Sequence, residues 1–171
     1  MKKNDITRLC MAAMFAALIC VATIVIQIPS PIGGFLNFGD CFILIGAWTL
    51  GPIYGFAAGA IGSAMADIIT GYAVYAPATF VIKGVIAVLA AVIYRLLCRR
   101  ESAPKLLCHA VAAAAAELWM MLGYYIYDAV VMGYGFAGAA AALPMNAVQG
   151  IVGAAAGCAV ITLLSRIKTE R

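Results

Sequence analysis

Residues 41–66, CFILIGAWTLGPIYGFAAGAIGSAMA, decide the fold. They form 26 uncharged residues interrupted only by Gly51-Pro52. A membrane-spanning helix takes roughly 20 apolar residues. The stretch is therefore either one kinked helix or two helices meeting at Gly51-Pro52, where proline removes a backbone donor. Charge decides between them. With one helix, the segment 95–105, RLLCRRESAPK, falls on the opposite side from the N-terminus. With two, it joins Lys2, Lys3 and Arg8 and also Arg166, Lys168 and Arg171, so that ten of the eleven Lys and Arg residues lie on one side. Lys83 is the exception. The positive-inside rule favours this second count and makes the basic side cytoplasmic.

The rest of the chain fits the same scheme. Helix 1 is expected over Thr7–Ile28 and is stopped by Pro29 and Pro31. Its uncharged run, Leu9–Ile28, is 20 residues, longer than the 7–15 residues of a signal-peptide core, and no A-x-A site follows, so it reads as a retained helix. A turn-rich loop, PSPIGGFLNFGD (29–40), leads to helix 2 over Asn37–Leu50 and helix 3 over Pro52–Thr70. Helix 4 is expected over Ala78–Leu97, helix 5 over Leu106–Tyr127 and helix 6 over Ala141–Ser165. The outer loop DAVVMGYGFAGAA (128–140) has room for a helical segment. The expected architecture is all-α: one integral membrane domain, 1–171, of six transmembrane helices with both termini cytoplasmic. Small residues four apart, Gly55/Gly59/Ser63 and Gly153/Gly157, mark faces where helices approach closely in lipid.

Composition excludes several alternatives. With 66% hydrophobic residues, 11% charged residues and a mean hydropathy of +1.06, a soluble domain would lack the polar surface it needs. No basic run interleaved with aromatics suggests nucleic acid. The six cysteines are scattered, without CxxC, and the single histidine, His109, rules out a multi-histidine metal site. No G-x-x-x-x-G-K-[ST], H-E-x-x-H or G-x-S-x-G motif occurs. No enzyme, cofactor or metal is expected.

Charges inside lipid are costly, so each needs a reason. The topology collects them near the outer face: Asn37 and Asp40 where helix 2 starts, Asp67 at the end of helix 3, Thr79 and Lys83 on one face of helix 4, and Asn146 and Gln149 on one face of helix 6. Glu117, Met121, Tyr124 and Asp128 form one stripe of helix 5, with Glu117 near mid-membrane. Six of the eight tyrosines, Tyr75 among them, lie in the outer half. The set suits a mostly apolar pocket with a few convergent polar groups. Structural alternatives stay open: an Asp67–Lys83 ion pair, an interfacial tyrosine belt, solvated helix ends at Asp40 and Asp128, and Asn146 and Gln149 as interhelical glue.

The stretch NFGDCFILIGAWTLGPIYGFAAGAIGSAMADIITGYAVYAPATFVIKG (37–84) resembles the substrate-binding S components of energy-coupling-factor (ECF) vitamin transporters. The carrying elements are Gly39-Asp40, Leu50-Gly51-Pro52, Gly59 to Asp67, Gly71-Tyr72, Pro77 to Thr79 and Lys83-Gly84, followed by Pro144, Asn146, Gln149 and Gly150. The resemblance is closest to the riboflavin-type branch, which includes transporters of pyridoxine and hydroxymethylpyrimidine. It implies a multi-pass protein of the bacterial cell membrane that captures a B vitamin or precursor at the outer face, from the first loop and helices 4 to 6. It implies partners as well: a transmembrane coupling subunit, met by Ala12/Ala16 or Ala13/Ala17 of helix 1, and two cytoplasmic ATPases. Uptake would follow rotation of the loaded protein in the membrane. Two other readings compete with it: a stand-alone proton-coupled carrier using Glu117, Asp67 and Lys83, and a membrane scaffold without ligand.

Overall fold

The computed structural model describes residues 3–30, 32–99 and 103–169. Pro31 and the charges of Lys2, Arg100 and Arg171 lie outside them. The chain is a helical bundle. In order it runs α1 (Lys3–Val25), a two-stranded antiparallel hairpin of β1 (Ile28–Pro29) and β2 (Phe35–Leu36), α2 (Gly39–Leu50), α3 (Pro52–Ile69), α4 (Ala76–Leu97) and α5 (Lys105–Ile126). A π-helical turn (Tyr127–Val131), the short α6 (Gly135–Ala139), a 3₁₀ turn (Ala140–Ala142) and α7 (Leu143–Thr169) complete it. The expected loop 128–140 is therefore mostly helical, and α7 begins at Leu143, two residues after the expected start at Ala141.

The break at Gly51-Pro52 is present. Gly51 takes φ +87°, which L side chains rarely adopt, and ends α2; Pro52 then opens α3, where its missing N–H costs nothing. The two helices it separates are unequal. α3 is one of five helices long and apolar enough to cross a membrane; the others contain α1, α4, α5 and α7. α2 is apolar but has only 12 residues. At 1.5 Å per residue it is about 18 Å long, against a hydrocarbon core of about 30 Å.

α2 is also the most enclosed helix. It packs against α1, α3, α4 and α7, and Ile43, Leu44 and Ala47 are almost wholly buried. Small residues make this packing possible. A Cβ on Gly55 would lie 3.0 Å from the Ala47 backbone, one on Gly59 3.0 Å from the Lys83 carbonyl, and one on Gly153 2.9 Å from Asp40 Cβ. The expected Gly55/Gly59 and Gly153/Gly157 faces thus do bring helices together.

The outer surface is inverted relative to a water-soluble protein. Large apolar side chains are exposed along α1 (Leu9, Met14, Val21), α3 (Ile61, Ile68), α5 (Leu118, Leu122) and α7 (Ile151, Leu163). Buried positions meanwhile hold Asp40, Lys83, Glu117 and Gln149. Only a lipid solvent accommodates this arrangement, with helices satisfying their own backbone hydrogen bonds.

Candidate functional site

At one end of the bundle, the β1–β2 hairpin lies over the starts of α2, α4 and α7 and the ends of α3 and α5. Beneath it polar side chains collect in two layers.

The deeper layer is a buried ion pair with amide and thioether partners. Lys83 Nζ of α4 lies 2.5 Å from Asp40 Oδ1 of α2, with side chains 2% and 0% exposed. Gln149 Nε2 of α7 donates to Asp40 Oδ2 at 2.6 Å. Met120 Sδ of α5 lies 3.3 Å from both Lys83 Nζ and Gln149 Nε2. Gln149 Oε1 in turn accepts the backbone N–H of Asn37 at 2.9 Å, which ties the loop to the network. Asn37 Oδ1 accepts the Gly39 N–H at 3.0 Å in the turn that leads into α2, and Asp40 falls in the first turn of that helix, where the dipole favours an anion. Four helices are joined here. A buried charge is tolerated only when paired and hydrogen-bonded, and these two are.

This layer chooses between the open alternatives for Lys83 and distinguishes two neighbouring methionines. Lys83 pairs with Asp40, not with Asp67: a Cβ at Gly59 would touch the Lys83 carbonyl, so α3 and α4 are in close contact, but the ammonium reaches across to α2. Of the adjacent methionines, it is Met120 that is fully buried against Lys83 and Gln149, whereas Met121 is partly buried at the edge of the apolar core. Both lie within one helical step of the Glu117–Tyr124 stripe, so spacing alone does not separate them.

The upper layer lines a small cavity of about 40 Å³. Asn37, Tyr75, Thr79, Tyr124, Asp128, Asn146 and Gln149 all border it, seven of the eleven residues expected at a ligand site. Tyr75 OH donates to Asp128 Oδ1 at 2.9 Å, and the Thr79 and Tyr124 hydroxyls are 3.0 Å apart. The π-helical turn that begins at Tyr127 carries Asp128, which is buried at this wall. Burial and the neighbouring Asp128 carboxylate push the Tyr75 phenol well above its ordinary range, so it stays a donor. Asp40, Lys83, Glu117 and Met121 do not line the cavity. The first two form its floor network. Glu117 is 4% exposed and packs beside Gly150 of α7, and neither of its carboxylate oxygens has a partner among the described residues.

Several lining residues were not singled out from sequence. Ser30, Gly33, Gly34, Phe35 and Leu36 come from the hairpin, Ala142 from the 3₁₀ turn and Met145 from the start of α7, while Tyr72 of the Gly71-Tyr72 element lines the cavity from the α3–α4 turn. Asp67 also lines the cavity, and its Oδ2 is buried without a partner among the described residues. The usable signal was the pair of glycines: Gly33 and Gly34 both take positive φ, and the Tyr75 ring packs on them. A tight reversal at this point brings the loop back over the pocket.

The four alanines of α1 divide. Ala12 is buried and Ala16 packs against Gly62 of α3, so this pair faces the bundle. Ala13 and Ala17 are exposed, between Met14 and Leu18 on the lipid side.

A helical membrane bundle with a buried ion network beneath a polar, aromatic-lined cavity is a small-molecule binding protein of the membrane. The family model for the ECF-type riboflavin transporter S component matches residues 3–166, and the chain belongs to that family. The family is one of transporter S components and not of enzymes, and the long apolar helices agree with a multi-pass membrane protein. It is also similar to a Pyrococcus woesei protein described as an uncharacterized protein in the gap 3′ region, with 48% identity over 67 residues. That match covers 39% of this chain and 45% of the relative, so the chain spans less than half the length of the relative it matches.

Proposed function

We propose that this chain captures a neutral or cationic heteroaromatic vitamin or vitamin precursor, of pyridoxine or hydroxymethylpyrimidine type, with riboflavin as the larger alternative. The observation that carries the reading is the chemistry of the cavity wall. It offers carboxylates (Asp67, Asp128), amides (Asn37, Asn146, Gln149) and phenols (Tyr72, Tyr75, Tyr124), but no lysine or arginine. The nearby cation, Lys83, is committed to Asp40. Such a wall accepts hydrogen bonds from ring N–H, amino and hydroxyl groups, stacks on aromatic rings and disfavours a carboxylate or phosphate.

The cavity is far smaller than the roughly 300 Å³ or more of typical small-molecule pockets. Binding therefore displaces the β1–β2 hairpin, whose tie to the network is the Asn37–Gln149 hydrogen bond. The basic end is the cytoplasmic one, so the pocket opens outward, both termini lie inside, and α2 completes six membrane-inserted helices within one domain of the bacterial cell membrane. A coupling subunit and two ATPases supply the energy. Ala13 and Ala17, exposed on α1, are the small-residue face that supports docking of the coupling subunit.

The test is calorimetric titration of the purified chain with pyridoxine, hydroxymethylpyrimidine, thiamine, riboflavin and pantothenate. Submicromolar binding is expected for one of the neutral or cationic compounds and none for the pantothenate anion. Binding of pantothenate alone, or of nothing, would overturn the reading.

A further inference from the structure

A second cavity, of about 340 Å³, lies at the opposite end of the bundle, among the last turns of α2, α4 and α7 and the first turn of α5. Its inner wall is a stack of rings. The His109 imidazole sits 4.1 Å from the Tyr94 ring, nearly parallel at 17°, and 4.4 Å from the Trp48 ring. His109 is only 8% exposed, and its Nδ1 has no hydrogen-bond partner among the described residues.

The donors available here can be counted. Trp48 Nε1 is spent on the Ala90 carbonyl at 3.2 Å. Thr49 donates to the Ile45 carbonyl at 2.8 Å, Thr162 to the Cys158 carbonyl at 2.7 Å, and Ser165 to the Thr162 carbonyl at 2.7 Å. The Tyr94 hydroxyl is engaged with Cys98, and what is left is His109, the exposed Lys105 ammonium and the start of α5, where no side chain caps the helix. A helix start with free amides and a positive dipole end favours an anion. Among the described residues no carboxylate lines the cavity, and the Arg95 guanidinium packs nearby on Gly51.

The other wall is apolar: Leu106, Ile161 and Leu164. Leu106 and Leu164 are 55% and 47% exposed, so the wall continues onto the lipid-facing surface. An amphiphile with an anionic head and hydrocarbon tails matches both halves. We propose that this cleft holds an anionic phospholipid, its phosphate between Lys105, His109 and the start of α5 and its acyl chain along Leu106 and Leu164. An acidic peptide would use the cations but not the apolar continuation. A basic cleft between helix ends at headgroup depth is where such lipids dock.

The chain supplies its own reporter. In a Trp119→Phe background, Trp48 is the single tryptophan and lies in the cleft wall. The protein is reconstituted in nanodiscs of phosphatidylcholine containing either brominated phosphatidylglycerol or brominated phosphatidylcholine. Half-maximal quenching of Trp48 is expected at about fivefold less phosphatidylglycerol. Lys105→Glu should abolish this preference, and His109→Phe, which keeps the ring stack, should weaken it, both with unchanged thermal unfolding. If His109→Phe perturbs the fold, Lys105→Glu alone decides. Equal quenching by the two lipids, or a preference that survives Lys105→Glu, overturns the proposal. So does a Lys105→Glu variant that loses the coupling subunit while keeping its lipid preference, which would assign the cleft to a protein partner.

Discussion

The two ends of this bundle are built from similar parts to opposite purpose. Each has aromatic rings, hydroxyls and a cleft between helix ends. Among the described residues, the end under the hairpin presents acids, amides and phenols around about 40 Å³ and no free cation; the other presents Lys105, His109 and a helix start around about 340 Å³ and no acid. Between them lies the Lys83–Asp40–Gln149–Met120 network, which neutralises the one lysine that would otherwise make the ends alike. The difference teaches that ligand charge is selected by where the bundle spends its cations.

The most forceful way to break this comparison is to remove the divider. Lys83→Met leaves Asp40 buried without its counter-charge and should cost about 3–5 kcal/mol, whereas Lys83→Met with Asp40→Leu should recover most of that. Thermal unfolding of the three proteins in the same detergent checks it; equal losses in single and double variants would show that the pair is not the main support.

Next come the pocket walls. Asp128→Ala removes the Tyr75 acceptor and should weaken vitamin binding by about ten- to a hundredfold, the range expected for a hydrogen bond to a charged group. Asn146→Ala, which orphans no hydrogen-bond partner among the described residues, should cost less. Titration calorimetry orders the two.

The two faces of α1 give a smaller contrast. Ala12→Trp overpacks a buried position and should destabilise the fold by about 1–3 kcal/mol or more. Ala13→Trp, on the exposed face, should leave stability and ligand affinity unchanged and reduce co-purification of the coupling subunit. The smallest effect is expected at the far cleft: Lys105→Glu should change vitamin affinity by less than about twofold, since exposed charges beyond a Debye length of about 10 Å are screened.

The membrane fold was legible in the sequence because its signals are strong ones: long uncharged runs, the Gly51-Pro52 break and the segregation of basic residues. Helix ends in the structure fall within a few residues of the expected ones for α2 to α5. The site was legible in part. Asn37, Tyr75, Thr79, Tyr124, Asp128, Asn146 and Gln149, singled out because polar residues in lipid announce themselves, all border the outer cavity. The pairing of Lys83 was not legible, since Asp40 and Asp67 are both near it in depth and only the packing of α2 at the centre of the bundle chooses Asp40. The choice of Met120 over Met121 turned on a rotation of α5 by one residue, and the hairpin's contribution rested on backbone dihedrals at Gly33 and Gly34. Neither leaves a trace in hydrophobic periodicity.

The shortness of α2 has a consequence for how the protein is made. A helix of 12 residues does not carry enough hydrocarbon length to partition into a bilayer by itself. Insertion of α2 would have to be coupled to that of α3, with Gly39–Ile69 entering as one helical hairpin folded at Gly51. The glycine that ends one helix and the proline that starts the next thereby set the order of membrane insertion during synthesis as well as the final shape.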